Sequence, residues 1–167
     1  GITEFLAYKT KSKNEVMLIF NKELSVSPIT THLPINKVTK NIKKQIIVNK
    51  IININRFYKN VLKFSPKIAL TGLNPHCETF SGKNIEKTEI LPAIKVLKKK
   101  KIDVSGPFSA DTIFLKNNRK KFNVIVGMYH DQVLGPMKTI FGFNAINITL
   151  GLPFVRISPD HGPNYKM

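Results

Sequence analysis

Short runs of β-branched and other apolar residues alternate with longer stretches whose apolar residues recur at helical spacing. This alternation narrows the fold more than any other feature of the chain. Glu15–Phe20 (EVMLIF), Ser25–Thr30 (SVSPIT), Lys67–Thr71 (KIALT), Ile102–Ser105, Val124–Met128 (VIVGM), Asn144–Leu150 and Phe154–Ser158 read as strands. Pro28 has no amide hydrogen, so the second run is expected at a sheet edge or as an irregular strand. Ile42 to Leu62 reads as a helix, with Ile47, Ile51, Ile54, Tyr58, Val61 and Leu62 at helical spacing and Thr39 or Asn41 as its cap. Ile85 to Lys100 reads as a second helix despite Pro92, and Ala110–Leu115 as a short one opened near Ser109–Asp111. Strands alternating with helices predict a layered α/β/α domain around a mixed, mainly parallel sheet. No internal repeat or Gly/Ser-rich linker divides it, so residues 1–167 are expected to form a single α/β domain.

Composition removes several function classes. Hydrophobic residues at 42% and charged residues at 22% exclude a disordered chain. No stretch is apolar enough to span a bilayer as a helix, and GITEFLAYKTK is too mixed for a signal peptide. A lone Cys77 excludes an internal disulfide and fits a reducing, cytoplasmic compartment. The chain opens at Gly1 and stops at Met167 after HGPNYK, and is expected to be part of a longer protein. A net charge of +17 invites a nucleic-acid partner. The charge, however, is nearly all lysine scattered among Asn and Ile, and its densest run, Lys98–Lys101, ends a predicted helix where cations are favoured. Without a zinc finger, RNP aromatics or an arginine-rich arm, no nucleic-acid or membrane partner is expected. A basic surface suits a phosphorylated or carboxylated small molecule instead.

All four histidines follow predicted strands: His32 in THLP, His76 in GLNPH, His130 in YHDQ and His161 in SPDHG. Ligand sites in open α/β sheets gather outside the carboxyl ends of strands. Imidazoles delivered there from distant positions can converge on one divalent metal and leave coordination positions open for substrate. The competing reading is that each histidine bonds its own loop. His76 and His130 are expected in Pro-, Asn- and Gly-rich loops that hold polar groups rigidly, and Asp131 can orient His130 as a ligand. Cys77 reads either as a soft ligand or as a small buried thiol. A second cluster, Lys138, Asn147, Arg156, Asp160 and His161, offers charge to a phosphate or carboxylate. No GxGxxG and no P-loop is present, so the cofactor-binding residues are not identified.

The strings THLP (31–34), GLNPH (72–76), GPFSADTIF (106–114), MYHDQ (128–132), NITLGLPFVR (147–156) and SPDHG (158–162) together resemble the 4-hydroxythreonine-4-phosphate dehydrogenase family of vitamin B6 biosynthesis. The resemblance covers essentially the whole chain. It implies one domain of a fold like that of the isocitrate and isopropylmalate dehydrogenases, corresponding to the second, dimer-forming half of a longer two-domain enzyme. It further implies a metal (zinc, magnesium or cobalt) on His32, His76 and His130, shared between the subunits of a homodimer. Thr3, Lys138, Asn147 and Arg156 match substrate-binding positions. Asp131 and Asp111 are the candidate catalytic carboxylates, for orienting ligands or handling protons.

The implied reaction is oxidation of 4-hydroxythreonine 4-phosphate by NAD or NADP, then decarboxylation to 3-amino-2-oxopropyl phosphate. Three places depart from the family pattern: Ile2 stands where a histidine is usual, CETFSG follows GLNPH in place of AGE, and Pro163 replaces a threonine. Ile2 keeps open a sister dehydrogenase acting on a phosphorylated four-carbon sugar acid, threonate or erythronate 4-phosphate. An inactive fragment or a non-catalytic metal- or nucleic-acid-binding module is the remaining alternative.

Overall fold

The computed structural model describes residues 2–12, 14–77 and 84–160. The strands are β1 (Val16–Phe20), β2 (Ser25–Thr30), β3 (Ile68–Thr71), β4 (Val104–Phe108), β5 (Val124–Tyr129), β6 (Ile146–Leu150) and β7 (Arg156–Pro159). The helices are α1 (Ile2–Lys9), α2 (Ile35–Asn41), α3 (Lys44–Phe57), α4 (Leu91–Lys99), α5 (Ala110–Ile113), α6 (Lys116–Arg119) and α7 (His130–Phe141). The sheet runs β4-β3-β5-β2-β1-β6-β7. β4, β3, β5 and β2 are parallel neighbours, whereas β1, β6 and β7 join antiparallel. Since β6 is antiparallel to β1, and β1 to β2, five of the seven strands share one direction. The expected mixed, mainly parallel sheet is the one found.

Successive strand residues point to opposite faces, and each face has its own core. Val16, Leu18, Ile68, Leu70, Val124 and Val126 pack under α3 and α4, with Ile47, Ile51, Ile54, Ala93 and Leu97. Met17, Ile19, Val26, Ala69 and Ile125 pack under α5 and α7, with Ile113, Val133, Leu134 and Met137. The layers are therefore helix, sheet, helix. Among the described residues no helix is long and apolar enough to cross a membrane.

Four local expectations are corrected. First, β2 lies inside the sheet between β5 and β1, not at an edge. Its irregularity is nonetheless real: Val26 registers with Ile19 of β1, and next to Pro28 the Ser27 hydroxyl donates to the Met17 carbonyl at 2.7 Å. A side chain does there what the proline's missing amide cannot.

Second, the helix expected from Ile42 to Leu62 begins only at Lys44, because Ile42 is extended and wholly buried. Thr39 and Asn41 belong to the separate α2, and α3 is capped from a distance by Glu89, whose Oε2 accepts from the Lys44 amide at 2.6 Å. Its last turn, Tyr58–Leu62, widens to π geometry, and Val61 is exposed rather than buried.

Third, the helix expected from Ile85 opens as a π turn over Glu86–Ile90. There the Leu91 amide reaches Glu86 O just before Pro92, which has no amide to give.

Fourth, His130 is not in a loop. It is the first residue of α7, a helix that runs through Pro136. An interior proline costs about 3 kcal/mol. Burial of Val133, Leu134 and Met137 offsets it at roughly 1.5–3 kcal/mol each.

Candidate functional site

The parallel order β4-β3-β5-β2 lines up four strand ends, and each carries a polar group. Asp111 follows β4, His76 follows β3, His130 follows β5 and His32 follows β2. The contacts obey this order. His32 and His130 stand with ring centroids 5.6 Å apart, and His76 Nδ1 lies 3.8 Å from Asp111 Oδ2.

Nδ1 of His130 sits 2.7 Å from Oδ1 of Asp131. With Nδ1–H donating to the carboxylate, Nε2 keeps the ring's lone pair, the arrangement a metal-ligating histidine adopts. Asp111 holds its charge easily: the Ser109 hydroxyl donates to Oδ1 at 2.6 Å and His76 lies opposite, and together they lower its pKa despite some desolvation.

His76 and Cys77 both have left-handed backbones, with φ of 55° and 57°. Such geometry costs about 1–3 kcal/mol at a non-glycine residue and persists only where the surroundings impose it. Here they do. Glu86, wholly buried, accepts from the Leu73 and Asn74 amides at 2.9 and 2.8 Å and from Asn74 Nδ2 at 2.8 Å. The Cys77 thiol packs so closely on Gly72 that a Cβ there would come within 2.7 Å of the sulfur. Burial pushes its pKa up, and the charges of Glu86 and Asp111 add to this against a backbone hydrogen bond from Gly72. Cys77 is half-buried, so this packing makes it neither a fully buried thiol nor a freely exposed one.

The second cluster comes from α7 and from the antiparallel pair β6–β7. Lys138, about two turns and roughly 12 Å beyond His130, donates to Asp160 Oδ2 at 2.8 Å and sits 4.6 Å from the Phe143 ring centroid. Arg156 Nη1 donates to Thr149 Oγ1 at 3.2 Å across the β6–β7 pair. Asn147, two residues from Thr149 on the same face of β6, has a buried Oδ1 with no hydrogen-bond partner among the described residues. Ile2 and Thr3 belong to α1, but their side chains lie outside the described residues. So do His161, Pro163 and most of CETFSG.

The geometry therefore pairs His32 with His130 and His76 with Asp111, without uniting them. Among the described residues no three of His, Cys, Asp and Glu form a metal-binding group. Two residues that sequence reasoning did not single out, Glu86 and Gln132, hold the site's framework. Glu86 was detectable: it falls at helical spacing from Ile90, Ala93 and Leu97, a carboxylate on an apolar stripe.

These features define a class: an α/β/α sheet protein with its polar side chains gathered at the carboxyl ends of parallel strands. The family is then specific. The chain belongs to the pyridoxal phosphate biosynthetic protein PdxA family, whose model matches residues 1–167. It is 45% identical over 169 residues to a 4-hydroxythreonine-4-phosphate dehydrogenase of Sulfurihydrogenibium, a match covering 100% of the chain and 52% of that relative. It is also 35% identical over 168 residues to a D-threonate 4-phosphate dehydrogenase of Pectobacterium atrosepticum, covering 100% of the chain and 52% of the relative. Among solved structures, 4-hydroxythreonine-4-phosphate dehydrogenase from Klebsiella pneumoniae superposes with a TM-score of 0.84 at 34% identity, over 96% of this chain and 49% of that one. The chain spans about half the length of the curated relatives it matches.

Proposed function

We propose that residues 1–167 form the metal- and substrate-binding, dimer-forming α/β domain of a cytoplasmic dehydrogenase that oxidises 4-hydroxythreonine 4-phosphate and decarboxylates the product to 3-amino-2-oxopropyl phosphate. The observation that carries this reading is the His32–His130 ring pair at the strand ends, in a chain of this family.

Two adjacent imidazoles with a carboxylate behind one of them fit part of a metal sphere, which the described residues of a single copy do not complete. His32 and His130 of one copy and His76 of a second would hold the ion, which makes the homodimer part of the site. A zinc, magnesium or cobalt ion held there would supply Lewis acidity, and NAD or NADP would be the hydride acceptor. The chain's own residues do the rest. Asp131 and Asp111 orient His130 and His76. Lys138, Arg156 and the buried Asn147 Oδ1 offer two cations and an acceptor to hold an aminated, doubly anionic substrate in one pose. Thr3 is assigned to the same substrate site by its match to the family pattern. In balance, the carbinol C–H would leave as hydride to the nicotinamide and the hydroxyl proton would go to a base. The carboxylate then departs as carbon dioxide, and a proton replaces it on carbon.

The test is the oxidation rate of 4-hydroxythreonine 4-phosphate against threonate and erythronate 4-phosphate by the full-length enzyme. Preference for a sugar acid would replace the first substrate. Ile2, in place of the histidine usual in the family, and the similarity to the D-threonate 4-phosphate dehydrogenase favour keeping that second reading. The 167-residue chain by itself should turn over little or no substrate, and brisk NAD-dependent oxidation by it would contradict its assignment as one half of the enzyme.

A further inference from the structure

A single buried network ties the three histidine-bearing strand ends to one another. The Gln132 side chain, 9% exposed, sits two residues after His130. Its Oε1 accepts from the Met128 amide at 2.7 Å and from Thr71 Oγ1 at 2.8 Å, and its Nε2 donates to the Gly72 carbonyl at 2.9 Å. The backbone amide of Met128 can only donate, which fixes the orientation of the Gln132 amide. On the other side, the buried Thr30 hydroxyl donates to the Met128 carbonyl at 2.8 Å, two residues before His32. The ends of β2, β5 and β3 are thus linked in sequence. Beyond Gly72, Glu86 takes over and accepts three hydrogen bonds from Leu73 and Asn74. Residues 71–74 are therefore gripped at every position, immediately before the left-handed turn that presents His76.

We propose that Gln132 and Glu86 are positioning residues that clamp the His76 loop to the helix start carrying His130 and so set where the imidazoles stand. The proposal rests on the metal reading above and deepens it. It holds whichever copy's site His76 serves, because the clamp lies within one chain. A full set of satisfied buried hydrogen bonds rigidifies a segment, whereas one left unpaired loosens it.

Cys77, the only cysteine in the sequence, adjoins His76 and reports on the loop without any metal. The rate of its labelling by an aromatic disulfide is measured in metal-free protein. Gln132→Met and Glu86→Ala each raise that rate about fivefold or more, since a buried group left unpaired favours local opening by roughly that factor at least. Glu86→Gln keeps an acceptor for the two amides but removes a charge that raises the Cys77 pKa. Its rate therefore stays near wild type once the pH dependence of labelling has been used to correct every variant for thiolate fraction. Tyr58→Phe, which removes a buried hydrogen bond to Ser25 far from the loop, leaves the rate unchanged. The second readout is Co2+ affinity by calorimetry, expected to fall roughly 10–100-fold in Gln132→Met and Glu86→Ala, as when groups behind metal ligands are lost.

A folded Gln132→Met protein with wild-type labelling and wild-type Co2+ affinity overturns the proposal. Equal acceleration by Tyr58→Phe overturns it too, by showing general destabilisation. Wild-type protein that binds no Co2+ overturns the metal reading alone, and the labelling rates then decide the clamp by themselves.

Discussion

The imidazole rings of His32 and His130 stand 5.6 Å apart because β2 and β5 are parallel neighbours, paired up to Thr30 opposite Tyr129. His76, one strand further along the same row, faces Asp111 instead. If His76 completes a site on a second copy, the two kinds of lesion should complement. Neither His76→Ala nor His130→Ala binds Co2+ tightly alone. Refolded together they form mixed dimers with one intact site each, restoring roughly a quarter of the wild-type sites under random pairing. Stoichiometry is read by calorimetry. A mixture that binds no better than its parents would show that the site is not shared.

The sequence announced β1, β3 and β5 well, because burial on both faces makes each a nearly continuous apolar run, and His76 and His130 fall just beyond two of them. It concealed α7. Gly135 and Pro136 are poor helix residues, yet Val133, Leu134 and Met137 bury enough apolar surface to carry the helix through them. Pro28 misled for the related reason that the Ser27 hydroxyl substitutes for a ladder bond, which no local pattern records. The clamp was hidden in another way. Glu86 and Gln132 act through hydrogen bonds to residues 12, 13, 60 and 61 positions away, and only the folded sheet brings these together.

At Gly127 of β5 the first turns of α7 pack closely on the strand. A Cβ at this position would lie 2.4 Å from Val133 Cγ1 and 3.0 Å from Gln132 Oε1. Gly127→Ala should therefore push the first turn of α7 away from the sheet. The expected cost is about 1–3 kcal/mol, typical of overpacking, seen as a lower urea midpoint with an unchanged slope. Weaker Co2+ binding should accompany it, because His130 opens that turn. Wild-type stability would mean that the helix start yields without strain.

Lys138 and Asp160 make an asymmetric ion pair: the carboxylate side chain is 5% exposed and the lysine 31%. Removing the lysine leaves a buried carboxylate without its cation, and partial exposure of the lysine softens the penalty. Lys138→Met should lose about 1–3 kcal/mol in denaturant unfolding. Lys138→Met combined with Asp160→Asn should recover much of it, since no buried charge remains unpaired. If the double variant is as unstable as the single one, packing on Phe143 rather than the charge accounts for the loss. Substrate binding should stay weak in both, because neither carries the ammonium.

Tyr58, buried between α3 and the sheet, donates to Ser25 Oγ at 2.9 Å, and burial pushes its pKa from 10.0 up to about 12 against the lowering effect of that hydrogen bond. The unfolded chain gives up this proton near pH 10, whereas the folded chain keeps it until about pH 12. Below pH 10 both forms are neutral and the contribution is complete; from pH 10 to 12 the unfolded state alone ionises, so stability falls as pH rises. The loss amounts to about 2–3 kcal/mol across that window, from the size of the shift. Tyr58→Phe should be less stable at pH 7 by about 1 kcal/mol, the worth of one hydrogen bond. It should nevertheless lose less stability than the wild type between pH 10 and 12, so the two urea-unfolding curves converge or cross. Parallel decline of both proteins over that range would show that Tyr58 ionises as readily in the folded chain as in the unfolded one.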